Sequence, residues 1–231
     1  PALIGIEICE DLWSPINPGP AACLAGANLL VNPSASNELI AKADYRKNLV
    51  QLASAKNLCG YVYAGAGPTE STKDIVYGGH CLICETGYVL QESPRFNLSG
   101  STTVSEIDIG KIRHDRAQNK TFSNAQRSAS FRISTISDQT APISNLTREI
   151  SRHPFIPASK AEFDSRALEI LKIQSTGLAR RMMSANTERL VIGLSGGLDS
   201  TLAFLVCLET LKVLDLAPAN LHALTMPGPG T

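Results

Sequence analysis

Two stretches of this chain carry residues whose types and spacing suit chemistry. The first is Ser195-Gly196-Gly197-Leu198-Asp199-Ser200, set between an apolar run at residues 190–194 and a helical pattern at residues 201–214. Adjacent glycines let the backbone turn sharply and approach a ligand closely. A helix opening there directs unpaired N–H groups and the positive end of its dipole into the turn, which suits a phosphate. Both serine hydroxyls can donate to phosphate oxygens. Asp199 would repel such an anion unless a hard cation stands between them, as Mg2+ does when a carboxylate and phosphate oxygens share it. The plainer reading is a helix cap, with Asp199 or Ser200 as the capping side chain. A cap needs one polar residue, not this whole pattern, and the Gly-Lys-Ser ending of a Walker loop is absent.

The second stretch is Gly5-Ile6-Glu7-Ile8-Cys9-Glu10-Asp11-Leu12-Trp13, which puts a thiol at the C-terminal end of an apolar strand. Open α/β sheets present their working groups at that end. A thiol becomes a nucleophile when a base and positive charge lower its pKa, and neither lies within this strand. On its own residues, Cys9 reads as a buried structural thiol.

Both stretches need elements to position them. Residues 3–8 and 27–31 are apolar runs of strand length. Residues 44–58 read as a helix, with Tyr45, Leu49, Leu52 and Ala53 on one face. A strand follows at residues 61–64, and residues 81–85 and 88–91 flank Thr86-Gly87 as a hairpin. From about His114 to Asn145 the chain is rich in Ser, Thr, Asn, Gln and Arg and has no sustained apolar period, so it reads as a surface connection. A helix is expected at residues 161–186, striped by Ala167, Ile170, Leu171, Leu178 and Met182, before the strand, helix and further strand (residues 221–225) that surround the glycine loop. The class is α/β throughout, and the last segment opens like a doubly wound parallel sheet.

The charge balance narrows the partners. Lys+Arg and Asp+Glu both number 21 among 231 residues, so no net field draws the chain to nucleic acid or an anionic membrane. No apolar run approaches the roughly 20 residues that span a bilayer. Six irregularly spaced cysteines read as reduced thiols of a cytoplasmic protein. Cys81 and Cys84 lack the second ligand pair that a zinc site needs, and the four histidines have no ligand spacing. Arg113, Arg116 and Arg127 are available for a contact between domains or subunits. Both ends of the chain read as interior sequence, which suggests a fragment.

Ser-Gly-Gly-Leu-Asp-Ser resembles the loop of the N-type ATP pyrophosphatases. The stretch around Cys9 resembles the nucleophile motif of nitrilase-type amidases. Three later stretches resemble the same amidase in order: Asn32 through Arg46, Gly67 through Asp74, and Gly78-Gly79-His80 through Phe96. The two halves occur in this order in the glutamine-dependent NAD+ synthetases, which the chain resembles over nearly its whole length. The resemblance implies a nitrilase-type α-β-β-α sandwich (its C-terminal part) at residues 1–113, a polar connection at 114–160, and the start of a doubly wound ATP-pyrophosphatase domain at 161–231. It implies Cys9 as the nucleophile that attacks glutamine, with Ser36 and Lys42 holding the substrate. The base and the oxyanion-stabilising lysine of the family's Glu-Lys-Cys triad fall before Pro1, so Glu7, Glu10 and Lys42 are not given those roles. It further implies ATP at Gly193, Leu194, Ser195, Gly196, Gly197, Leu198, Asp199 and Ser200, Mg2+ at Asp199, deamido-NAD+ as the acceptor, and a homo-oligomer. The alternatives are another carbon–nitrogen hydrolase or amidotransferase, and a non-catalytic fragment.

Overall fold

The computed structural model describes residues 2–71, 74–125, 129–136, 145–148, 150–157 and 159–225. Arg127, residues 72–73 of the Gly67-to-Asp74 stretch and residues 226–231 lie outside these. The chain divides into two compact units, Pro1–Glu149 and Ile150–Thr231.

The first unit is built on a five-stranded sheet in the order β1 (Ile4–Ile6), β2 (Leu29–Ser34), β3 (Gly60–Gly65), β4 (Cys81–Glu85) and β5 (Tyr88–Glu92). The first three strands are parallel and the last two antiparallel. Parallel neighbours need a crossover, supplied by α1 (Pro18–Leu24) and α2 (Lys42–Lys56). Thr86 and Gly87 both have positive φ, the backbone that closes a two-residue hairpin between β4 and β5. Leu12, Cys23, Leu30, Val50, Tyr61, Tyr63, Leu82 and Cys84 form the core between sheet and helices.

Three elements depart from what the sequence led us to expect. Helix α1 has no long apolar stripe and starts with Pro18 and Pro20. Prolines are tolerated there because the first-turn N–H groups have no intrahelical partner to lose. Helix α2 stands close to where it was expected, and Leu49 and Ala53 of the expected stripe pack against the core, but the buried face is turned from the one expected. Ala43, Arg46, Val50 and Ser54 face inward, while Tyr45 and Leu52 are exposed. A guanidinium with two buried partners takes the place that hydropathy gives to a leucine. The polar stretch after His114 also holds structure, because α3 (Ile109–Gln118) runs through it and α4 (Lys120–Ser123) follows. Asp108 caps α3, Ile112 is fully buried, and Arg116 donates to the carbonyls of Leu58 and Asn57 at 2.8 and 2.9 Å. Arg116 is thus occupied within this unit. Arg148 pairs with Glu85 at 2.7 Å, tying residues 145–148 to the same sheet.

The second unit holds α5 (Lys160–Ser184), β6 (Leu190–Gly193), α6 (Leu198–Val213) and β7 (Leu221–Leu224). Strands β6 and β7 are parallel neighbours with α6 as the crossover. Helices α5 and α6 meet through Ser175, Ala179, Met182, Thr210 and Leu211, all buried. Of the stripe expected on α5, Met182 packs inward and Ile170 stays exposed.

Candidate functional site

Cys9 begins a 3-10 turn, Cys9–Trp13, directly after β1 and Ile8. Its φ is +50°, a left-handed backbone that costs an L-residue about 1–2 kcal/mol. The turn is held locally by Asp11, whose Oδ2 accepts from the Ile8 N–H at 2.7 Å. Cys9 itself is held from farther away. Its N–H donates to Asn32 Oδ1 at 2.9 Å, and Asn32 Nδ2 lies 3.4 Å from its carbonyl oxygen. Asn32 Nδ2 is also 3.3 Å from the Tyr61 hydroxyl, which donates to Glu7. Glu7 and Tyr61 are buried. Burial holds the Glu7 carboxyl above its ordinary range despite the Tyr61 hydrogen bond, and burial followed by the Glu7 charge pushes the Tyr61 phenol up. Glu7 Oε1 is thus taken by Tyr61 beneath the turn, while Oε2 is buried without a hydrogen-bond partner. Glycine is required at position 19, since a Cβ there would stand 2.5 Å from Glu7 Oε2.

Beside this turn stands Tyr63, fully buried, whose hydroxyl donates to Ser34 Oγ at 2.8 Å. Burial raises its phenol; the hydrogen bonds to Ser34 and Ser36 and the positive Arg46 pull the other way, while a Cys9 thiolate would raise it. Ser34 and Arg46, whose guanidinium lies 5.8 Å from the ring, thus flank this phenol. Lys42, the first residue of α2, follows Ala41 in left-handed backbone. Its Nζ donates to Asn37 Oδ1 at 3.0 Å and lies 5.4 Å over the Trp13 ring at the end of the Cys9 turn. The structure thus brings the three residues expected at the first site, Cys9, Ser36 and Lys42, to one end of the sheet.

A set of buried charges backs the loop that carries Ser36. Arg46 is 1% exposed; its Nη1 donates to Glu38 Oε1 at 2.8 Å and sits 3.0 Å from His80 Nδ1. Glu38 also takes Arg95 at 3.3 Å, and the backbone of Gly78 comes so close that a Cβ would meet Glu38 Oε1 at 2.4 Å. Burial lowers the His80 pKa, although Glu92 at 2.9 Å opposes this. Glu92 is held below the usual carboxylate range, chiefly by Lys47. Arg46, Asn32 and Tyr61 were missed from sequence. The only signal was an arginine at a helix position that a regular stripe would give to an apolar residue.

In the second unit the residues expected at a phosphate lie in one turn. The N-cap of α6 is Gly197, with no side-chain cap, so neither Asp199 nor Ser200 plays the capping role of the plainer reading. The Thr201 N–H donates to the Gly197 carbonyl, which leaves the preceding first-turn amides to face the loop. Gly196 has φ +83°, a conformation suited to glycine. Ser195 Oγ lies 3.2 Å from Ser200 Oγ, and Ser200 Oγ donates to the Gly197 carbonyl at 3.0 Å. Asp199 is exposed in the first turn. Asp199 is a single exposed carboxylate beside the loop, and a cation held there would draw its other oxygens from phosphate and water. An oxygen donor set of that kind fits Mg2+.

Comparison with known proteins decides the relationship. A family profile described as NAD synthase matches residues 170–231, which include the glycine loop. The glutamine-dependent NAD(+) synthetase of Mycobacterium bovis is 37% identical over 232 residues, covering 98% of this chain and 34% of that protein. Over nearly its whole length this chain is similar to glutamine-dependent NAD(+) synthetases. It spans about a third of the length of those relatives. The Mycobacterium leprae synthetase is 35% identical over 98% of the chain, and the human one is 30% identical over 61% of it. A solved glutamine-dependent NAD+ synthetase from Acinetobacter baumannii, in complex with ADP, covers 99% of this chain and 34% of its own at 16% identity. Its TM-score is 0.43, too loose a superposition to speak about side chains.

Proposed function

We propose that this chain supplies two working parts of a glutamine-dependent NAD+ synthetase. In the first unit, the Cys9 thiolate attacks the carboxamide carbon of glutamine. The C–N bond breaks, ammonia leaves, and water hydrolyses the γ-glutamyl thioester to glutamate. Ser36 and Lys42 hold the amino-acid end of the substrate, a hydroxyl and a cation being apt partners for it. In the second unit, residues 193–200 cradle ATP, and Asp199 would hold a Mg2+ ion that would neutralise phosphate charge. Deamido-NAD+ takes the adenylyl group as pyrophosphate leaves, and ammonia then displaces AMP to give NAD+. A homo-oligomer and a cytoplasmic location belong to the same reading.

The observation that carries this reading is the continuity of the match. One relative aligns along 98% of the chain, through both the Cys9 turn and the Ser195–Ser200 loop. A stand-alone carbon–nitrogen hydrolase has no use for that loop. The test, at the full length of the relatives, is to supply deamido-NAD+, ATP and either glutamine or an ammonium salt. AMP and pyrophosphate should form with either nitrogen donor, and glutamate only with glutamine. Release of ADP and phosphate instead would overturn the ATP-pyrophosphatase half.

A further inference from the structure

The ladder between β1 and β2 gives out just before Cys9, rung by rung. Strands β1 and β2 are in parallel register with Ile6 opposite Val31, and the Glu7 N–H donates to the Val31 carbonyl at 3.1 Å. The next rung of a parallel ladder would run from the N–H of residue 33 to the Glu7 carbonyl. Residue 33 is proline and has no N–H, so that rung cannot form. One step on, the Cys9 N–H does not take the Pro33 carbonyl that a continued ladder would offer it. The side chain of Asn32 replaces it, accepting that N–H at 2.9 Å.

The orientation of this amide is fixed from both ends. The Cys9 N–H is a donor and must face an oxygen. On the other side the Tyr61 hydroxyl gives its proton to the buried carboxyl of Glu7, so it can only accept from Asn32 Nδ2. Cys9 O, the second neighbour of Nδ2, is an acceptor as well. An Asn32 side chain turned over would set N–H against N–H at Cys9 and leave its oxygen without a donor at Tyr61. The chain Glu7, Tyr61, Asn32 thus ends on both backbone polar groups of a residue whose φ lies in the strained region.

We infer that Asn32 is the positioning residue of the Cys9 nucleophile: Pro33 ends the ladder, and the Asn32 amide, oriented by Tyr61 and Glu7, clamps the Cys9 backbone in the left-handed turn that presents its thiol. This rests on the glutaminase reading of Cys9. The test compares Asn32→Ala, Tyr61→Phe and Cys9→Ala at the full length of the relatives, with glutamine and with ammonium as nitrogen donors. Asn32→Ala should lower kcat with glutamine about 100-fold, the scale of a small misplacement of a reacting group, with KM within about threefold because Ser36 and Lys42 are untouched. Tyr61→Phe removes one hydroxyl without opening a cavity and should lower the same kcat about tenfold, again at constant KM. Ammonium-driven synthesis should stay at the unmutated rate in both, which reports an intact fold. Unchanged kcat in Asn32→Ala, a rise in KM alone, or an equal loss with ammonium would each overturn the assignment. Should Asn32→Ala fail to fold, Tyr61→Phe decides, and an unchanged kcat there overturns it. Glutamine-driven synthesis that survives Cys9→Ala would instead remove the reading beneath it.

Discussion

The two candidate sites differ in where their geometry comes from. Around Cys9 the decisive contacts join residues far apart in sequence: Cys9 to Asn32 across 23 positions and Glu7 to Tyr61 across 54. Around the glycine loop they are local, with Ser195, Gly197, Ser200 and Thr201 bonding one another across 2 to 5 positions. The first site lies over a closed core, whereas Leu198, Leu202 and Leu205 on the helix after the loop stay exposed in the chain described here. A loop that makes its own hydrogen bonds announces itself in six consecutive letters. A nucleophile held by a strand's side chain, a buried tyrosine and a buried carboxyl does not.

The comparison can be broken at its local end. Asp199→Ala should reduce NAD+ synthesis by at least about 100-fold with glutamine and with ammonium alike, since the phosphate charge then lacks its cation beside the loop. Glutamine should still bind at the other site, as isothermal titration would show. Normal ammonium-driven turnover would exclude the magnesium role.

At the other end, the buried charges should matter more to stability than to chemistry. Arg46→Met leaves His80 without its neighbour and Glu38 with only the more exposed Arg95. Removing one partner of a buried pair should cost about 3 kcal/mol, read as a lower urea midpoint at unchanged slope. An unchanged midpoint would mean that the Glu38 to His80 network is ornamental.

A smaller effect is expected from pH. Burial lowers the folded-state pKa of His80 below its ordinary 6.5. The folded state therefore prefers the neutral ring, and this contribution is complete above pH 6.5 and lost as pH falls below it. Glu92, whose folded pKa is lowered mainly by Lys47, acts in the same direction at lower pH, where its carboxylate takes up a proton. Stability should decline as pH falls below 6.5, and His80→Gln should flatten that decline. The same slope in His80→Gln would place the acid sensitivity elsewhere.

Much of the fold was legible. The strands around both sites, the β4–β5 hairpin and helices α2, α5 and α6 follow from apolar spacing and turn residues. What failed has definite causes. Helix α1 hides behind two prolines that read as loop until they are placed in a first turn. Helix α3 lies in polar sequence because one buried Ile112 and one anchored Arg116 suffice to dock it. The inward face of α2 was read only in part, through Leu49 and Ala53, because Arg46 is buried by Glu38 and His80, and hydropathy cannot foresee partners 8 and 34 positions away. The glycine loop stands between β6 and α6, where its six letters led us to expect a strand-to-helix turn. At the first site the sequence offered Cys9, Ser36 and Lys42 through resemblance, and the residues that hold Cys9 in place became visible only in three dimensions.

The central claim is that Cys9 serves nitrogen delivery and nothing else, and one measurement addresses it directly. Cys9→Ala, at the full length of the relatives, is assayed for NAD+ formation with glutamine and then with an ammonium salt. Glutamine-driven synthesis should fall by more than about 1,000-fold, because no other thiol stands at that turn to form the thioester. The ammonium-driven rate should stay within about twofold of the unmutated protein, since on the proposed reading the thiol acts only on glutamine. Equal loss with both donors, or full activity with glutamine, would contradict the account.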